Sequence, residues 1–110
     1  MMVKRISTIQ EFEELINLNE KFVFLKHSTT CPISHAAYTE FLAFATAYEE
    51  IPLYYLQVQD DRELSNYIAE KTSIRHESPQ LFIFENGEAV FNTSHFSIKK
   101  ESIENALLKK

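Results

Sequence analysis

The strongest constraint on the fold is an alternation of short, mainly apolar runs with longer segments of helical periodicity. The runs at 22–25, 53–58 and 81–84 lack the regular polar alternation of a half-exposed strand, so they predict strands covered on both faces. Between the first two runs, apolar residues recur at spacings of three and four from Ala37 to Tyr48, which predicts a long helix. Because strands joined by helical crossovers pair in parallel, this alternation predicts an α/β protein.

Helices are also predicted at both ends of the chain and after the second strand. The first begins at a capping box at 8–11 and is expected to end near Asn19, and an amphipathic last helix falls within 97–110. The Asn-Gly dipeptide at 86–87 separates the third apolar run from a fourth, and this dipeptide predicts a hairpin. We therefore predict a central mixed sheet with helices on both faces, in a single domain over residues 1–110.

Charge and hydropathy argue against several classes of function. The formal net charge is −5, and the 11 lysines and arginines are scattered, with short clusters only at 99–100 and 109–110. The concentrated cationic face that nucleic acid requires is therefore not expected. The N-terminal residues do not form a secretory signal, and no apolar run is long enough to span a membrane. We expect a cytoplasmic protein, in which a lone thiol stays reduced unless chemistry uses it.

The single cysteine, Cys31, lies between a predicted buried strand and the long predicted helix. Pro32 is favoured at the first helical position because its missing N–H would have no intrahelical partner, which makes Cys31 the capping residue. The unpaired N–H groups and the positive end of the helix dipole favour a thiolate, which is the attacking form of cysteine. A lone cysteine is more often a small buried hydrophobe. The polar residues on both sides of this one, and its place after a strand, favour a reactive thiol.

Ser34 occupies the position three residues after Cys31, where a dithiol motif carries its second cysteine. Its hydroxyl could hydrogen-bond the thiolate, satisfy the first turn of the helix, or do both. Thr30, Pro32 and Ser34 are therefore the candidates for supporting the thiolate. Because the chain has no other cysteine, any disulfide must join Cys31 to another molecule, and the predicted mechanism is monothiol.

Two further features carry less specific signals. Ser78-Pro79 precedes the third apolar run, and the dipeptide alone favours an ordinary trans turn. The histidine that follows the motif, His35, could change the electrostatics at Cys31. All four histidines lack the paired spacing of a zinc site, and each is expected at the surface or at a sheet edge. They are His27, His35, His76 and His95.

Taken together, these residues resemble the monothiol bacilliredoxin family, also called the YtxJ group, over nearly the whole chain. The resemblance implies a thioredoxin-like fold in which a cis proline, Pro79, faces Cys31. It also implies an activity that removes bacillithiol from S-bacillithiolated proteins. The features that carry it are the hairpin, the dipeptide Ser78-Pro79 and the motif Thr30-Cys31-Pro32-Ile33-Ser34.

In the scheme that the resemblance implies, Cys31 attacks the bacillithiol sulfur of a modified protein, releases the protein thiol and holds bacillithiol as a mixed disulfide. A second low-molecular-weight thiol then regenerates it, so bacillithiol is a co-substrate and no tightly bound cofactor or metal is expected. Relatives bind the thiol substrate through the residue before the cis proline, here Ser78. They also use the start of the last helix, for which Thr93, Ser94 and His95 are the candidates.

A function of another class stays open at this point, because the thioredoxin-like scaffold could be a binding or redox-sensing module without catalytic turnover at Cys31. Iron–sulfur cluster carriage by a dimer, as in monothiol glutaredoxins with Cys-Gly-Phe-Ser, is a minor alternative because this motif lacks glycine. The expected partners are S-bacillithiolated proteins and bacillithiol, and neither nucleic acid nor a membrane. The sequence does not specify an oligomeric state.

Overall fold

Strands and helices alternate along the chain as the apolar runs predict. A computed structural model describes residues 3–18 and 21–108, so the predicted end of the first helix near Asn19 lies outside the described residues. None of the described helices combines the length and apolar character needed to cross a bilayer. The strands are β1 (Val3–Arg5), β2 (Lys21–His27), β3 (Leu53–Gln57), β4 (Gln80–Glu85) and β5 (Glu88–Ser94). The helices are α1 (Ile9–Leu18), α2 (Pro32–Ala47), α3 (Arg62–Thr72) and α4 (Lys100–Leu108), with a 3₁₀ turn at His95–Ser97.

The five described strands form one sheet in the order β1-β3-β2-β4-β5. β3 is parallel to β1 and to β2, whereas β4 is antiparallel to β2 and to β5. The predicted mixed sheet is therefore confirmed, as is the hairpin, where Asn86 and Gly87 both adopt a positive φ. The strand prediction is incomplete because it omits β1. This short edge strand exposes Lys4 and Arg5, so no apolar run marks it.

The central strand β2 contributes to two hydrophobic cores, one on each face of the sheet. Phe22 and Phe24 pack with side chains of α1 and α3, whereas Val23 and Leu25 pack with side chains of α2 and α4. All four are at most 1% exposed, and burial of each such side chain stabilises the fold by about 1.5–3 kcal/mol. Cover on both faces explains the unbroken apolar run, and β2 continues past that run to His27.

Candidate thiol site

Several chain segments converge at one edge of the sheet. β2 and β3 run in parallel, so their carboxyl ends lie together there. β4 begins at the same edge, with Gln80 paired to Lys26 of β2, and β5 ends there, with Ser94 paired to Gln80. In open α/β sheets, the carboxyl ends of parallel strands are where ligand sites form. The segments that meet here, called the thiol edge below, are 28–31, 58–61, 73–79 and 95–99.

Cys31 lies where the first of these segments becomes helical. It directly precedes Pro32, the first residue of α2, and has an extended backbone with φ −105° and ψ 125°. Its carbonyl accepts a hydrogen bond of α2 from His35 N at 3.0 Å. The residue is partly exposed, so it is not sealed in the core. The predicted place of Cys31 as the helix cap is confirmed, and its reactivity stays a prediction.

A residue missed at the sequence level, Gln59, holds the loop before Cys31. The Nε2 of Gln59 donates to Ser28 Oγ at 2.8 Å and to Thr30 Oγ1 at 2.9 Å, and its Oε1 accepts from Thr29 N at 3.3 Å. Its position just after a strand parallel to β2 was the available signal, because such strands end at the same edge. The Thr30 hydroxyl is therefore bonded to Gln59, and its support of the thiolate stays a prediction.

The Ser34 hydroxyl is buried and bonded to the loop that precedes the helix. Its Oγ accepts a hydrogen bond from Ser28 N at 2.7 Å and lies 3.3 Å from His27 Nδ1. Burial, and then the nearby His35, lowers the pKa of His27, so its ring is uncharged at neutral pH. Its Nδ1 can therefore accept a hydrogen bond from the Ser34 hydroxyl. Ser34 thus ties the first turn of α2 to the end of β2. Its predicted hydrogen bond to the thiolate stays a prediction.

The expectation that every histidine lies at the surface or at a sheet edge is wrong for His27. This residue is 8% exposed, and its ring stacks on Tyr38 with centroids 4.6 Å apart. β2 continues past its apolar run as a central strand, and α2 covers that face. His35 and His95 are exposed as expected, whereas His76 is partly buried.

The Ser78-Pro79 peptide bond is cis, as the family resemblance implies and unlike the trans turn that the dipeptide alone favours. Pro79 O accepts a hydrogen bond from His95 N at 3.1 Å, which joins this loop to the segment after β5. Ser78 Oγ is buried without a hydrogen-bond partner among the described residues. Such unpartnered buried hydroxyls are uncommon in folded proteins. The role of Ser78 in substrate binding stays a prediction.

The residues after β5 differ from the sequence expectation. Thr93 and Ser94 end β5 and His95 begins the 3₁₀ turn, so these candidates lie before the last helix, α4, which begins at Lys100, and not at its start. His95 has a φ of 55°, which a right-handed helix does not accommodate. Its Nε2 lies 3.6 Å from Glu77 Oε1, so these residues still border the thiol edge. Their contact with a thiol substrate stays a prediction.

Comparisons with known proteins agree with this architecture. The family model described as monothiol bacilliredoxin BrxC matches residues 4–103. A solved structure described as an oxidoreductase with a thioredoxin fold is 45% identical, with a TM-score of 0.92 over 96% of this chain and 94% of that chain. Mitochondrial thioredoxin 3 from Saccharomyces cerevisiae shares the fold at 16% identity, with a TM-score of 0.78 over 98% of this chain and 95% of that chain. Fasciola hepatica thioredoxin does so at 20% identity, with a TM-score of 0.76 over 99% and 98%. The predicted thioredoxin-like fold is confirmed.

Proposed function

Because the chain belongs to the monothiol bacilliredoxin family, we propose that it removes bacillithiol from S-bacillithiolated proteins through a mixed disulfide at Cys31. Family membership and the similarity to a thioredoxin-fold oxidoreductase support a thiol redox function. The observation that carries the proposal is a partly exposed Cys31 at the start of α2, in a chain without a second cysteine. Since no internal disulfide can form, any thiol that Cys31 captures comes from another molecule.

The proposed reaction is a two-step thiol–disulfide exchange. The Cys31 thiolate attacks the bacillithiol sulfur of the modified protein, so a new S–S bond forms while the old one breaks, and the protein thiolate leaves and takes up a proton. A bacillithiol thiolate then attacks the captured bacillithiol sulfur, which releases bacillithiol disulfide and restores Cys31. Each step consumes one disulfide and forms one, so bacillithiol is the co-substrate. We place this exchange in the cytoplasm, where a lone thiol stays reduced.

Several features of the thiol edge support this proposal. Cys31 lies at the N-terminal cap of α2, and this end of a helix favours negative charge. Hydrogen bonds from Gln59 and to Ser34 order the loop before Cys31, so the nucleophile is held in place before the substrate arrives. Ser78 Oγ has no partner among the described residues, and we propose that it bonds the thiol substrate beside the cis peptide bond. We propose Ser94 for the polar portion of bacillithiol.

Intact-mass analysis tests the proposal with a probe protein that carries bacillithiol on its single cysteine. We expect wild-type protein to gain the mass of one bacillithiol while the probe loses it, and Cys31→Ser to gain none. The same probe carrying glutathione is the matched substrate control and is expected to react more slowly. A wild-type protein that iodoacetamide alkylates at Cys31, but that takes up no bacillithiol, would contradict the proposal and favour a binding or redox-sensing module.

A further inference from the structure

A lysine side chain lies inside the protein behind the thiol edge. Lys26, in the central strand β2, is 0% exposed. Its Nζ donates to Ser65 O at 3.0 Å and to His76 Nδ1 at 3.1 Å, and it lies 5.7 Å from the centre of the Phe82 ring. Among the residues that the structure describes, none of the salt bridges includes Lys26. Its polar partners are therefore a carbonyl and an imidazole, not a carboxylate.

The imidazole partner accepts this hydrogen bond in its neutral form. Burial, then Lys26, then Arg62 lower the pKa of His76, whereas Glu77 raises it. The uncharged ring therefore presents a lone pair at Nδ1 to the Lys26 amine. Ser65 Oγ lies 3.2 Å from the same nitrogen, so α3, β2 and the segment that contains His76 meet at one point.

The cross-strand partner of Lys26 reaches the same segment. Gln80 pairs with Lys26 between β4 and β2 and is 1% exposed. Its Nε2 donates to Arg75 O at 2.9 Å, and its Oε1 accepts from Glu77 N at 3.3 Å. Lys26 bonds His76, which lies between these two residues. The buried side chains of Lys26 and Gln80 therefore bond the three consecutive residues 75–77.

The bonded residues lead directly into the Ser78-Pro79 peptide. Between the end of α3 at Thr72 and the start of β4 at Gln80, the chain belongs to neither a helix nor a strand. Hydrogen bonds to the buried side chains of Lys26 and Gln80 therefore hold residues 75–77 in place of the backbone hydrogen bonds of a helix or a sheet. An apolar residue at the position of Lys26 would fill space without the cost of burying an amine. The presence of lysine therefore points to a role beyond packing.

We propose that Lys26 and Gln80 are positioning residues for the thiol exchange at Cys31. They hold the segment 75–77 so that the Ser78-Pro79 peptide meets the thiol substrate at a fixed place on the thiol edge. This inference rests on the proposed function and assigns to it two residues outside the cysteine motif. Loss of either side chain weakens substrate binding and leaves the Cys31 thiol itself unaltered.

Three variants test the inference. Lys26→Met and Gln80→Met keep an unbranched side chain of similar length but remove the hydrogen bonds, and Phe44→Leu is a control in the core on the other face of the sheet. Bacillithiol transfer is measured against the concentration of a bacillithiolated probe peptide, and alkylation of Cys31 by iodoacetamide is measured separately. We expect the half-saturating concentration to rise about tenfold in both Met variants, because each variant removes hydrogen bonds that hold the segment 75–77. The saturating rate and the alkylation rate should not change, and Phe44→Leu should resemble the wild type.

The outcomes separate this inference from the proposed function. An unchanged half-saturating concentration in both Met variants, or an equal rise in Phe44→Leu, overturns the inference and leaves the proposed function intact. Wild-type protein that transfers no bacillithiol overturns the proposed function. Amide hydrogen exchange at 75–77 reads the positioning without any substrate. It should accelerate in Lys26→Met and Gln80→Met but not in Phe44→Leu, and equal protection in all three variants contradicts the inference.

Discussion

The buried amine of Lys26 lowers the stability of the folded protein. Burial of its amine lowers the pKa from the ordinary 10.5 to about 8. A lowered pKa of a base means that the folded state disfavours the charged form, so the folded protein is less stable while the amine is protonated. At neutral pH the lysine therefore lowers the stability of the fold that it helps to shape.

The difference in unfolding free energy between wild-type protein and Lys26→Met is expected to depend on pH. Below about pH 8 the amine is protonated in both folded and unfolded states, so the folded wild type carries the whole penalty. As the pH rises from about 8 to 10.5, the folded state has lost a proton that the unfolded state keeps. The wild type therefore gains up to about 3 kcal/mol relative to the variant. Urea unfolding near pH 7 and near pH 10 measures this, and equal differences at both would contradict it.

Sequence reasoning predicts the apolar part of β2 but not its polar end. The run at 22–25 identifies the buried strand, whereas Lys26 and His27 are residue types that a local pattern assigns to the surface. Their burial depends on partners distant in sequence. Those of Lys26 are 39 and 50 residues away. No local window of sequence contains such a pairing, so it emerges only when the sheet forms.

At the scale of elements, the loop between β2 and α2 determines how the thiol is presented. Gln59, in the segment that follows β3, bonds three consecutive residues of this loop, 28–30. Ser34 bonds the first of them from the side of the helix. The loop is thus held from two elements, which keeps Cys31 in one place before any substrate binds.

Gln59→Leu is expected to slow bacillithiol transfer by about fivefold, close to 1 kcal/mol in activation free energy, because the loop loses three hydrogen bonds. The free energy of unfolding should fall by less than about 1 kcal/mol, since water replaces bonds at an exposed position. Transfer kinetics and urea unfolding measure the two effects. Gln10→Leu, on the exposed surface of α1, is the matched control. A transfer rate in Gln59→Leu equal to that of the control would show that Gln59 does not hold the nucleophile.

Elements with an apolar signature are predictable from this sequence, and elements that polar contacts hold are not. The three strands with apolar runs and the hairpin are predicted, but β1 is missed. Arg5 of β1 donates to Asp61 through two hydrogen bonds of 3.1 and 3.0 Å, although the two residues are 56 positions apart in the chain. The candidates expected at the start of the last helix lie before it for a similar reason. His95 adopts a positive φ without being glycine, and its backbone bond to Pro79 is not visible in a local pattern.

At the scale of the whole molecule, the sheet separates two cores but joins them at the thiol edge. Phe24 and Lys26 point to the face that α1 and α3 cover, whereas Leu25 and His27 point to the face that α2 covers. Lys26 then bonds the segment before β4, and His27 lies against Ser34 of α2. Each face therefore supplies one side of the candidate site, and the sheet links the two.

Because the cores lie on opposite faces, their contributions to stability are expected to add. Ile68 and Ile103 are each 0% exposed, one in each core. Ile68→Val and Ile103→Val should each lower the free energy of unfolding by about 0.5–1.5 kcal/mol. The double variant should lose the sum to within about 0.5 kcal/mol. Urea unfolding of the four proteins measures the coupling, and a larger departure from the sum would mean that the sheet transmits strain between its faces.

With a lone cysteine, the molecule can hold one captured thiol as a mixed disulfide and has no second thiol of its own to release it. In the proposed exchange, a loaded protein waits until a free thiol diffuses to it, so throughput follows the surrounding supply of reduced thiol. When that supply is depleted, loaded molecules accumulate and further repair stalls. The rate of deprotection is then set by the supply of the small-molecule thiol, and regeneration of the free Cys31 thiol depends on the redox state of the surroundings.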